Sequence, residues 1–284
     1  MFFAFAMQSP PPPPRVMAQT GSSQIPKQLS VLLDAKDWSG LADWFEGASP
    51  AVRGQYYEIW LQALNRSHRW GRLVVVCDAL QPQLEAKTGP RLATYRLYRA
   101  QALSQLGQHE AAARAHADNG RLGYPDGFPN ACAEARLAGD WNSLLTYASE
   151  MLQGKPTDPQ AQAWKGEALT RLGQYAEAEP VLQAAVQADP NQAMPWNNLG
   201  RCLEERKDWA KARVALDHAL ALDPKEYEAL FNRGRCLFEL HEYASSRDDF
   251  RAALALRPND PTLAENLRQA ERYAAIQAPR KARH

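Results

Sequence analysis

"WNNLG", residues 196–200, and "FNRGR", residues 231–235, each place an asparagine two residues ahead of a glycine. The pairs Asn198/Gly200 and Asn232/Gly234 are 34 residues apart. A fixed interval of that size points to tandem units, each one supersecondary motif. Other residues keep the same interval. Pro156, Pro190, Pro224 and Pro258 form one column; Gly166, Gly200 and Gly234 form a second. Ala185, Ala219 and Ala253 form a third, and Tyr175, Trp209 and Tyr243 a fourth. Together they set three consecutive units starting at Pro159, Ala193 and Tyr227.

Each column has a physical reading. The glycines fall inside the first helix of each unit, where glycine costs about 1 kcal/mol relative to alanine. That cost needs a return, and close approach of the second helix supplies one. Ala178, Ala212 and Ser246 are the expected small partners on that second helix. Ala185, Ala219 and Ala253 would let it meet the next unit. The closing proline stops one unit and starts the next. Neither helix pair can bury its apolar face alone, so stacking is obligatory.

This pattern closely resembles the tetratricopeptide repeat (TPR) family. The family has a large residue at repeat position 4, Leu-Gly at 7 and 8, an aromatic at 17, alanine at 20 and 27, and proline at 32. The unit from Ala193 carries Trp196, Leu199, Gly200, Trp209, Ala212, Ala219 and Pro224. The unit from Tyr227 carries Leu230, Gly234, Tyr243, Ser246, Ala253 and Pro258. The unit from Pro159 departs at positions 4 and 7, where Gln162 and Lys165 stand. The resemblance implies an all-α, right-handed superhelical solenoid of antiparallel helix pairs. Weaker copies of the register lie upstream, at Trp38/Leu41, Trp70/Leu73, His109/Ala112 and Trp141/Leu144. Their spacings of 32, 39, 32 and 34 residues require insertions. The long one is expected near "QPQLEAKTGP", with Pro82, Gly89 and Pro90 as helix breakers.

The expected organisation follows. Residues 1–24 form a disordered, proline-rich tail, or a segment ahead of a true start at Met17. Pro10–Pro14 with Arg15 would form a polyproline II segment of PxxPxR type. Residues 25–124 hold degenerate repeats, and 125–260 hold one degenerate and three clear ones. Residues 261–277 read as a capping helix with Leu263, Leu267, Ala270 and Ala274 on one face, and 278–284 as a basic tail.

Composition narrows the function. The 284 residues are 45% hydrophobic and 23% charged, with a formal net charge of +1. That balance disfavours a nucleic-acid partner, which calls for a basic excess. Four cysteines in this length make no disulfide framework. No apolar run approaches the roughly 20 residues of a membrane span, and a cytoplasmic location is expected. No phosphate loop, GxSxG, HExxH or CxxC occurs, so neither an enzyme nor a cofactor is expected. His109, Cys202, Cys236 and the tryptophans Trp38, Trp70, Trp141 and Trp209 fit packing roles.

The asparagines carry the functional reading. Repeat position 6 of successive units holds Asn130, Trp164, Asn198, Asn232 and Asn266. The resemblance implies that positions 2, 5, 6, 9, 12 and 13 face a concave groove. Asn197 and Arg201 then join Asn198, and Phe231, Arg235, Phe238 and Glu239 join Asn232. A side-chain amide both donates and accepts, so a column of them can hold a peptide backbone. It is similar to the asparagine ladder in the repeat region of O-linked N-acetylglucosamine transferases. Arg201 and Arg235 would add a preference for acidic partners, and Phe231 and Phe238 an apolar contact. The family's carboxylate clamp is not matched: only Asn198 fits, while Ala163, Glu167, Glu228 and Asn232 do not. The expected function is a protein-interaction module or adaptor that binds a partner segment in this groove and supports a multiprotein complex. The alternatives are a self-assembling scaffold and a regulatory subunit of a separately encoded enzyme.

Overall fold

The computed structural model describes residues 26–85 and 91–281, and the tail with its PxxPxR string lies outside them. The described residues form sixteen helices and no strand. Two compact units divide the chain between Asn119 and Gly120. The first holds α1 (Lys27–Asp34), α2 (Trp38–Gly47), α3 (Pro50–Gln55), α4 (Tyr57–Arg66), α5 (Trp70–Glu85) and α6 (Arg91–Gln105). Helix α7 (His109–Arg121) runs to the division. The second unit holds α8 (Gly127–Ala138), α9 (Trp141–Gly154), α10 (Pro159–Arg171), α11 (Tyr175–Ala188) and α12 (Ala193–Glu205). It continues with α13 (Trp209–Leu222), α14 (Tyr227–Glu239), α15 (Tyr243–Leu256) and α16 (Pro261–Lys281).

One backbone feature recurs along the whole register. Lys36, His68, Gly107, Gly139, Gly173, Lys207 and His241 have φ between 54° and 76°. Their spacings are 32, 39, 32, 34, 34 and 34 residues. Each ends the first helix of a pair with the same two bonds. Lys207 N–H donates to Glu204 O at 2.8 Å, and Asp208 N–H donates to Leu203 O at 2.9 Å. His241 with Glu242, and Gly173 with Gln174, repeat the arrangement. This is a Schellman ending, whose left-handed residue reverses the chain and satisfies the last carbonyls of the helix. Asp37, Asp140 and Asp208 follow directly and cap the second helix, accepting from Gly40, Ser143 and Lys211 N–H. Seven helix hairpins therefore share one turn, although only three carry glycine there.

The glycine column works as expected, with a different partner. A Cβ on Gly166 would stand 2.4 Å from Leu182, on Gly200 2.6 Å from Leu216, and on Gly234 2.6 Å from Phe250. These three large side chains, themselves 34 apart, are the knobs that enter the glycine holes. The small residues Ala178, Ala212 and Ser246 are fully buried beside them, and Ser246 Oγ donates to Gly234 O at 2.7 Å. In two of the four upstream pairs the sizes are exchanged, whereas Leu29/Phe45 and Ala100/His116 are not. In the exchanged pairs the glycine position holds Leu61 and Cys132, and the knob position holds Cys77 and Ala148, all four fully buried.

Pro82 does not break its helix. It lies inside α5, which continues to Glu85. The ring is exposed, so it displaces no neighbour. A helix that buries Leu73, Val76 and Cys77 tolerates one missing hydrogen bond. Gly89 and Pro90 lie outside the described residues. At the other end Leu263 and Ala270 of α16 are fully buried against the second unit's core, and the helix runs on past residue 277 to Lys281.

Within the second unit the curvature is readable from the packing. Helix α10 packs on α12 and α12 on α14, whereas α11 and α13, or α13 and α15, barely meet. The first helices of the pairs thus crowd the inner side, and α16 takes the next place by packing on α15.

Candidate partner-binding site

The inner side is built from α10, α12 and α14, and its amides are partly committed to one another. Asn197 and Asn232 are both buried, and Asn232 Nδ2 donates to Asn197 Oδ1 at 3.2 Å. Asn197 Nδ2 donates in turn to Glu226 Oε1 at 3.2 Å. Glu226 also caps α14 by accepting from Ala229 N–H at 2.9 Å. The chain Asn232–Asn197–Glu226 therefore ties α14 to α12. Among the described residues Asn198 has only the Met194 sulfur, a weak acceptor, for its Nδ2 at 3.1 Å. Asn130 on α8, Trp164 on α10 and Asn266 on α16 are half-buried, with no side-chain hydrogen bond among the described residues.

The arginines are less free than the sequence suggests. Arg235 Nε lies 3.0 Å from Glu204 Oε1, with its guanidinium 6.0 Å from the Phe231 ring. Arg201 stands 6.0 Å from the Tyr175 ring. Phe231 faces Tyr227 at 6.4 Å and Phe250 at 6.1 Å, so it is largely core. Phe238 is half-buried and meets Tyr273 of α16 edge-on at 5.4 Å.

Further charged residues join the site that the sequence reading did not include. Arg136 Nε reaches Glu167 Oε2 at 2.7 Å, linking α8 to α10. Arg171 NH2 contacts both oxygens of Glu228, at 2.9 and 3.0 Å, and its guanidinium lies 5.4 Å from the Trp141 ring. This pair joins α10 to α14 past α12. Arg171 ends α10 and Glu228 starts α14, repeat positions about 16 Å apart along a helix axis. Successive inner helices are therefore staggered lengthwise, which puts the pair across the face of α12.

Family models described as tetratricopeptide repeat match residues 159–225 and 199–271. Residues 159–271 are tetratricopeptide repeats. Among solved structures it is similar to residues 41 to the end of MamA from Desulfovibrio magneticus RS-1. That likeness has 23% identity and a TM-score of 0.52, over 62% of this chain and 99% of the other. It is also similar to YrrB, titled a TPR protein with an unusual peptide-binding site. There the identity is 18% and the TM-score 0.50, over 68% of this chain and 96% of that one. At these identities the likeness is one of fold. The comparison with curated proteins gives no match.

Burial sets the electrostatics of this TPR face. Glu204 is 1% exposed, and its burial pushes the carboxyl pKa up to about 7 against the pull of Arg235, with Glu205 adding to the rise. Burial does the same to Glu226, also to about 7, reinforced by Glu228. Glu167 is raised by burial too, with Arg136 opposing. The cysteines are inert by the same cause: Cys132 and Cys236 are held at about 12 by burial. No helix among the described residues is long and apolar enough to cross a membrane.

Proposed function

We propose that the inner face of α10, α12, α14 and α16, over residues 159–277, captures a segment of a partner protein, and that the chain acts as an adaptor in a multiprotein complex. The TPR fold is an interaction scaffold that hosts many functions, so the reading rests on the site and not on the fold. The observation that carries it is the column of amides on successive inner helices. Asn198 holds only a sulfur, and Asn266 is half-buried with no bond of its own among the described residues. Such groups can take the N–H and C=O of an extended backbone. Asn232 and Asn197 form the floor beneath, held by Glu226.

The test is affinity capture from lysate with the wild type beside an Asn198→Ala/Asn232→Ala/Asn266→Ala variant of unchanged helicity. Partners held by the wild type and lost by the variant support the inner face. Partners held equally by both exclude the ladder as the binding element.

A further inference from the structure

The inference rests on the inner face being the binding face. It concerns the end of that face formed by the last turns of α12 and α14 and the adjoining part of α16. Glu204 and Glu205 close α12, Phe238 and Glu239 close α14, and Tyr273 stands on α16. Glu205 and Glu239 are exposed and form no ion pair among the described residues. Glu204 is almost fully buried, yet neither of its oxygens receives a hydrogen bond among the described residues. Arg235 stands 3.0 Å away as an ion pair whose N–H is not directed at the oxygen. A buried carboxylate without hydrogen bonds is costly, and a donor that reaches it recovers that cost. Glu205 and Glu239 stand near Glu204 together with Arg235 and Arg201, and Arg235 is the one guanidinium in ion-pair distance of a carboxylate of this group among the described residues.

The same protein shows how it holds a guanidinium. Arg171 is chelated by Glu228 and lies 5.4 Å from Trp141, pairing a carboxylate with an aromatic face. Glu204, Glu205 and Glu239 with Phe238 and the 45% exposed Tyr273 offer the same two elements, without an internal arginine to fill them all. The carboxylates do not converge as a metal ion requires, since no metal-holding group of three occurs among the described residues. Spread carboxylates beside aromatic rings suit a long side chain with a charged tip. We propose that this end of the groove is a subsite for a lysine or arginine side chain of the partner segment. The partner is therefore basic here, opposite to the acidic preference that Arg201 and Arg235 suggest from sequence.

The test uses a random twelve-residue peptide library displayed on phage, selected on the full chain. The wild type is expected to enrich peptides with a lysine or arginine at a recurring position. A selected peptide should bind a Glu205→Gln/Glu239→Gln variant roughly tenfold more weakly, about threefold per exposed carboxylate. Both positions are exposed, so folding is preserved, and a matching circular dichroism melt verifies it. Affinity for the wild type should also fall as salt rises. Enrichment of acidic or uncharged peptides, or equal binding by the variant, overturns the basic subsite and leaves the groove reading standing. Enrichment of no peptide at all, or of peptides indifferent to the asparagine substitutions, removes the groove reading and the subsite with it.

Discussion

Gly200→Ala tests the packing logic that sets the repeat. The new Cβ would lie 2.6, 2.9 and 3.2 Å from Cγ, Cδ2 and Cδ1 of Leu216. Carbon atoms prefer about 3.5–4.0 Å, and Leu216 is fully buried with no room to turn aside. Overpacking of this kind costs about 1–3 kcal/mol. Against it stands a helix-propensity gain of about 1 kcal/mol for alanine over glycine. The net expectation is a loss of about 0–2 kcal/mol, a range too close to zero to decide anything by itself. The decisive comparison is the same change in a Leu216→Ala background. All three crowding atoms are then gone, and only the propensity gain of about 1 kcal/mol remains. Gly200→Ala should therefore destabilise or be neutral in the wild type and stabilise in Leu216→Ala, with a coupling of about 1–3 kcal/mol. Urea midpoints of the four proteins, with hydrogen exchange of α12 and α13 as the local readout, measure it. Repeat arrays unfold in parts, so the local readout guards against a blurred global midpoint. Equal effects in both backgrounds would refute the knob-in-hole reading of the glycine column.

Two further outcomes follow from the structure. Glu204 has a folded pKa of about 7 against an ordinary 4.5, so the folded state holds a proton that the unfolded state releases. Stability from this group is full below about pH 4.5 and falls as pH rises towards 7. Glu204→Gln should stabilise the chain by about 2–3 kcal/mol at pH 8 and by almost nothing at pH 4, read from paired urea melts. A pH-independent difference would show that the carboxyl is not desolvated. Lys207 is exposed with φ of 61°, a left-handed conformation that glycine adopts without strain. Lys207→Gly should stabilise by about 1 kcal/mol, and Gly173→Ala, at φ 76°, should cost about as much. Thermal melts that reverse either sign would contradict the shared turn.

Much of this architecture was legible because packing at a fixed interval leaves columns. Gly200 and Trp209 announce the helix pair, and Leu263 and Ala270 the last helix, because each needs one size or polarity in one place. The turn column is not legible in the sequence because Lys36, His68, Gly107 and Lys207 share a backbone angle and no side-chain chemistry. Leu216 and Phe250 are not legible as the glycines' partners because, in the three clear units, the hole is always glycine while the knob varies between leucine and phenylalanine. Pro82 is not a break because the buried face of α5 outweighs the cost that an interior proline always carries. At the site, Asn198 and Asn232 stood out by register. Arg171 and Glu228, 57 residues apart, meet only because successive inner helices are staggered, a property of the whole stack. The burial of Glu204 could not be read from sequence.

The most direct measurement is hydrogen exchange of the chain with and without a partner recovered by affinity capture. Binding at the inner face should slow exchange in α10, α12, α14 and α16 and leave α11, α13 and α15 unchanged. Protection confined to α11, α13 and α15, or to residues 26–119, would contradict it.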